Sequence, residues 1–168
     1  AAEPGYPQIA STPELREAIA ASLARRYGMT GLTPDAVLPV VGTKEAIALL
    51  PTLLGVREGL VVIPEVAYPT YEVAALLGSN RVLRADSLLK IGPETPDLLF
   101  LNSPSNPTGK VLGVEHLRKV VGWARERGVI VASDECYIGL GWDDSNEPVS
   151  ILDPRVCDGD HTGLIAIH

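Results

Sequence analysis

The apolar run Leu98–Leu101 stops abruptly on Asn102, Ser103 and Pro104, and this ending constrains the fold more than any other feature of the chain. The run is short enough to be a buried strand. Pro104 has no N–H for a ladder bond, and Asn and Ser favour turns, so the backbone must leave the sheet here. Asn106-Pro107-Thr108-Gly109 then forms a second rigid turn, and it carries a side-chain amide that both donates and accepts. In an open α/β sheet, ligands sit beyond the carboxyl ends of the strands, where this loop would lie. A second such ending follows: the strand Val129–Ala132 closes on Asp134-Glu135-Cys136-Tyr137.

The rest of the chain supplies what such a sheet needs. A first helix is capped by Ser11 or Thr12, with Pro13 and Glu14 in its first turn, and it stops at Gly28. Its apolar stripe is Leu15, Ala18, Ile19 and Leu23. Val37–Val41 reads as an edge or bulged strand interrupted by Pro39. Gly42-Thr43-Lys44 leads into a helix over Glu45–Leu54, and Gly59–Ile63 is a β-branched strand. A helix over Tyr68–Leu77 is closed by Gly78; the strand Arg81–Arg84 and a loop over Ser87–Pro96 follow. A helix from about Val114 to Arg127 precedes the strand Val129–Ala132, and Gly163–Ile167 is the last strand. The polar stretch Gly141–Asp160 reads as irregular. Strands alternating with helices predict a three-layer α/β/α fold around a mostly parallel sheet.

With 168 residues, 46% of them hydrophobic, the chain suits one domain with a real core. A net charge of −7 with scattered Lys and Arg argues against nucleic acid. No apolar run reaches about 18 residues, which argues against a membrane span. Cys136 and Cys157 lie in unlike contexts, so a reducing cytoplasm fits better than a disulfide framework. His116, His161 and His168 lack ligand-like spacing, and no metal site is expected. The chain begins without Met and stops on His168 directly after a strand, so a fragment is expected.

Several strand ends carry polar or aromatic groups that fall on one rim. Thr43 and Lys44 stand at a helix N-terminus, where free N–H groups and the dipole favour a phosphate. Tyr68 offers a flat face, Asn106 an amide and Tyr137 a phenol. Asp134 ends a very apolar strand, where an unpaired charge would be penalised and a cation is the functional partner. Such a set suits a phosphorylated, cationic aromatic ring, and pyridoxal 5′-phosphate meets each requirement: its ring nitrogen must stay protonated to act as an electron sink.

Through GTKEA, PEVAYPTY, NSPSNPTGK and SDECY the sequence resembles the fold-type I, class I and II aminotransferases over essentially its whole length. Within them it is most similar to bacterial N-succinyldiaminopimelate aminotransferases of lysine and cell-wall synthesis. The resemblance implies that Asp134 pairs with the pyridinium nitrogen, and that Tyr137 and Asn106 hydrogen-bond the cofactor's 3-hydroxyl. It implies that Thr43 and Lys44 hold the phosphate through backbone N–H groups, and that Tyr68 stacks on the ring. Tyr6 matches a tyrosine that reaches the neighbouring subunit's phosphate, which implies a homodimer with shared sites. A cis Asn106–Pro107 bond is likewise implied. The implied substrates are an amino acid and a 2-oxo acid, N-succinyl-LL-2,6-diaminopimelate with 2-oxoglutarate being the pair expected.

Two departures accompany the resemblance. The family usually has Gly where this chain has Ser11, so a different loop backbone is expected there. The family's Schiff-base lysine follows soon after a strand like Gly163–Ile167, and none of Lys44, Lys90, Lys110 or Lys119 holds that position. The sequence therefore reads as an incomplete large domain over residues 1–168, inactive alone, with the small domain and the lysine region absent. The rivals are another type I activity (a β-lyase or an aminotransferase of different specificity), a non-catalytic domain retaining the fold, and a plain dinucleotide-binding sheet. The last lacks its Gly-x-Gly-x-x-Gly after the first strand.

Overall fold

Five short strands, the central ones largely apolar runs buried on both faces, build the molecule, and the computed structural model describes residues 9–168 of the chain. The strands are β1 (Leu60–Ile63), β2 (Arg81–Arg84), β3 (Leu98–Asn102), β4 (Ile130–Asp134) and β5 (Leu164–Ile167). They form one all-parallel sheet in the order β2-β1-β3-β4-β5. Successive side chains point to opposite faces. Val61, Ile63, Leu98, Phe100, Ala132 and Ile167 pack on one face under α2 (Thr43–Leu53) and α3 (Thr70–Leu77). Val62, Leu99, Leu101 and Val131 pack on the other, under α5 (Val114–Arg127), with α1 (Pro13–Tyr27) contributing Leu23 and Tyr27. The result is the expected α/β/α sandwich, here wholly parallel among its described strands.

Four sequence expectations need correction. Val37–Val41 forms no strand: Pro34–Ala36 makes a 3₁₀ turn, and Val41 is 98% exposed. Pro39 removes a ladder donor, and three valines and a leucine cannot recruit an edge without a partner surface. The loop Ser87–Pro96 holds a helical turn, α4 (Leu88–Ile91), capped where the Leu89 N–H donates to Ser87 Oγ at 3.3 Å. The polar stretch after Gly141 buries Val149, Ile151, Leu152, Val156 and Cys157, and contains α6 (Pro154–Cys157), packed on α5. The stripe read for α1 is covered only in part: Leu15 and Ala18 are exposed, Ile19 and Leu23 are half-buried, and Ala20, outside the stripe, is the helix's buried residue.

Thr12 rather than Ser11 caps α1, accepting from the Leu15 N–H at 3.3 Å. Ser11 sits at φ 66°, in the left-handed region that Gly adopts without steric cost. This serine thus takes a backbone that glycine would favour. Ser11→Gly is therefore expected to stabilise the protein by about 0.5 kcal/mol, after the entropy cost of Gly is deducted. Thermal unfolding should show a rise of roughly 1–2 °C.

Candidate active site

The parallel register brings two strand ends level. Asn102 on β3 is the partner of Asp134 on β4, so the turn beginning at Ser103 and the Asp134 carboxylate leave the sheet side by side. Asn102 braces this junction. Its Nδ2 donates to the Asp134 carbonyl at 3.0 Å and to the Pro104 carbonyl at 3.3 Å, while its Oδ1 accepts from the Asn106 N–H at 2.7 Å. The Ser103 hydroxyl accepts from the Leu112 N–H at 2.9 Å, closing the loop from behind. Both Ser103–Pro104 and Asn106–Pro107 are cis, the second as expected. Asn102→Asp would remove both donors and set a carboxylate against two carbonyls. It is expected to cost about 2–4 kcal/mol, more than Asn102→Ala, in denaturant unfolding of the full-length protein.

Thr43, Lys44, Tyr68, Asn106, Asp134 and Tyr137 line one cleft of about 130 Å³, with Ile47 and Cys136. It opens at the carboxyl ends of β1, β3 and β4, where the strand order turns from β2 on one side to β3 on the other. All the sequence-predicted site residues within the described range meet there; Tyr6 lies outside the described residues. A second cavity, about 170 Å³, lies among Leu88, Ile91, Leu99, Leu101 and Leu112 and holds none of them. Of the four lysines, Lys44 alone lines the cleft; Lys90 is ion-paired with Glu65.

Each wall offers a different chemistry. Helix α2 begins at Thr43 with Gly42 as an extended N-cap that brings no side-chain cap, and Ala46 is the first residue whose N–H finds the Gly42 carbonyl. The preceding N–H groups and the helix dipole suit an anion. Tyr68 presents an aromatic ring. Tyr71, in the first turn of α3, sets its ring edge-on to Tyr68 (6.0 Å, 80°) and is stacked on Phe100 (5.1 Å, 22°).

Asp134 is 6% exposed, and its partner is one the sequence did not disclose. The Tyr71 hydroxyl donates to Asp134 Oδ2 at 2.6 Å, and the Cys136 N–H donates to Oδ1 at 3.3 Å. Burial, then the hydrogen bond to Asp134, pushes the Tyr71 phenol above the ordinary tyrosine range, so it stays a donor at any working pH. Partial burial of the sulfur and the bond to Asp134 push the Cys136 thiol up to about 11, outweighing the Thr43 hydroxyl 3.3 Å away. Cys136 is thus a neutral wall residue and not a nucleophile.

Glu135 points to the other side of the turn. Its buried carboxylate accepts from the Ile151 N–H at 2.8 Å and lies 3.3 Å from His168 Nε2, while its own N–H donates to the Ile167 carbonyl at 2.8 Å. This ties the turn that carries Asp134 and Tyr137 to β5 and to residues 149–152. The signal available in sequence was only a second carboxylate beside Asp134.

A family model for class I and II aminotransferases matches residues 3–166. The chain is 68% identical over 168 residues to "Probable aminotransferase Rv1178" of Mycobacterium tuberculosis, covering 99% of this chain and 40% of that protein. It is 53% identical over 166 residues to the 4-dedimethylamino-4-oxo-anhydrotetracycline transaminase OxyQ of Streptomyces rimosus, covering 98% and 45%. Among solved structures, N-succinyldiaminopimelate aminotransferase of M. tuberculosis superposes with a TM-score of 0.83 at 27% identity, covering 97% of this chain and 45% of that one. The chain thus spans somewhat under half the length of these relatives.

Proposed function

Because the chain belongs to the class I and II aminotransferase family, whose cofactor is pyridoxal 5′-phosphate, we propose that residues 1–168 are the cofactor-binding part of an aminotransferase's large domain. The observation that carries this reading is the meeting, in one cleft, of a helix N-terminus, an aromatic face, an amide, a phenol and a buried carboxylate. That donor set fits the group. Thr43 and Lys44 N–H groups would hold its phosphate, Tyr68 its ring, Asp134 its ring nitrogen, and Asn106 and Tyr137 its ring oxygen. When bound, this cofactor supplies an electron-withdrawing ring that disperses charge from the substrate's α-carbon. Asp134 keeps a proton at the ring nitrogen and Tyr137 donates to the ring oxygen; these are the two catalytic residues assigned to this chain.

The full-length protein would transfer an amino group from N-succinyl-LL-2,6-diaminopimelate to 2-oxoglutarate in the cytoplasm, as a homodimer with shared sites. The similarity in fold to an N-succinyldiaminopimelate aminotransferase supports that donor. Exposed Leu53, Val73, Leu76 and Leu77 on α2 and α3 are consistent with a surface covered in an assembly, and the free thiols Cys136 and Cys157 with a reducing compartment. A second reading, amination of a bulky cyclic ketone, is favoured by the 53% identity to the tetracycline transaminase.

The test is glutamate formation by the full-length protein from 2-oxoglutarate and a panel of amino donors. The proposed donor should exceed donors lacking its polar side-chain groups in kcat/KM by about 10⁴-fold, the order that a site hydrogen-bonding a substrate's polar groups achieves. Turnover only with other donors would reject this substrate and keep the activity. Cofactor binding without any transfer would reject the activity.

A further inference from the structure

Resting on the reading of the cleft as a cofactor pocket, we infer that Tyr71 is a positioning residue for the reaction: its buried phenol donates to the Asp134 carboxylate and fixes it as the acceptor for the cofactor's ring nitrogen. Tyr71 is fully buried and lies outside the cleft lining, so it cannot touch the ligand itself. Its hydroxyl is nevertheless 2.6 Å from Asp134 Oδ2. Three contacts leave that hydroxyl little freedom: the stack on Phe100 of β3, the edge of Tyr68, and the Tyr71 N–H donating to the Tyr68 carbonyl at 3.2 Å.

The choice of partner matters chemically. Among the described residues no Lys, Arg or His pairs with Asp134. A cationic partner would neutralise the carboxylate and leave nothing for a cationic ring. A phenol and a backbone N–H satisfy its lone pairs while leaving its charge intact. A buried carboxylate stripped of the phenol would regain stability by taking the proton from the ring nitrogen, since a neutral pair suits a poorly solvated site better than an ion pair lacking a donor. The same proton then no longer draws electrons through the ring.

The experiment uses the full-length holoenzyme loaded with pyridoxal phosphate labelled with ¹⁵N in the ring, comparing wild type, Tyr71→Phe and Asp134→Asn by ¹⁵N NMR and by cofactor titration. Phenylalanine keeps the stack on Phe100 and removes only the donor. Tyr71→Phe is expected to move the ring-nitrogen signal toward the unprotonated value and to weaken cofactor binding about 10- to 100-fold, the range for a hydrogen bond to a charged group. It should lower kcat with little change in the donor's KM, and Asp134→Asn should move the signal further in the same direction. A merely space-filling Tyr71 would leave the nitrogen signal alone. If Asp134→Asn moves the signal and Tyr71→Phe leaves signal and affinity as in wild type, the Tyr71 inference is overturned and the cleft reading stands. If neither variant moves it, the cleft reading fails and takes the inference with it. Should Tyr71→Phe not fold, 4-aminophenylalanine incorporated at position 71 keeps a weaker donor in the same space. A smaller shift in the same direction supports the inference, and a wild-type signal overturns it.

Discussion

Asp134→Ala in the full-length protein is expected to lower kcat/KM by about 10³-fold or more, ~4 kcal/mol of transition-state stabilisation. The residue is nearly fully buried at the floor of the cleft, and its two oxygens are already oriented by Tyr71 and the Cys136 N–H. Alanine removes the one carboxylate lining that cleft and leaves the Tyr71 hydroxyl without its acceptor. Asp134→Glu keeps the charge but displaces it by a methylene, and roughly one tenth of the logarithmic loss should be recovered for each ~0.4 kcal/mol of contact regained. Steady-state kinetics with a saturating donor, paired with cofactor titration, separate binding from chemistry. Equal losses in the Ala and Glu variants would mean that charge at this position is not what the reaction uses.

Phe100→Ala should be the most destabilising single truncation near the site, by about 3–5 kcal/mol. Phe100 lies on the central strand β3, is 1% exposed, and is stacked on Tyr71 beneath α3. Its removal opens a cavity that the flanking Val61, Ile63 and Ala132 cannot fill without moving strands. For a protein of this size per domain, the melting temperature should drop by roughly 6–20 °C. Trp142→Ala is the control: that side chain is fully solvated, and the change should stay within about 0.5 kcal/mol. Comparable losses for the two would show that the α2/α3 face is not a packed core.

Local patterns in the chain carried much of this architecture. Arg81–Arg84 matches its sequence reading to the residue and the helix Val114–Arg127 falls where it was expected, because Gly128 and the charge pattern punctuate the helix and Gly78 closes the element before the strand. That Tyr68, Asn106, Asp134 and Tyr137 share one rim was also legible, since each lies at or past the end of an apolar strand where a parallel sheet must turn, whereas Thr43 joins them from the start of α2, after a segment that forms no strand. The buried role of Val149, Ile151 and Leu152 was not: these residues are spaced irregularly among polar neighbours, without a period to betray a face.

Composition and alternation by themselves determined the three-layer sheet and the rim on which chemistry sits, because period and turn chemistry act between residues close in sequence. Only the tertiary structure decided who partners whom at that rim. Tyr71 and Asp134 are 63 positions apart and Asn102 and Asp134 are 32, and nothing local marks either pair. Their meeting depends on strand register and on the seat of α3 against Phe100. Those are set by packing of the whole core, so the brace of the loop and the phenol on the carboxylate appear only once the sheet is assembled.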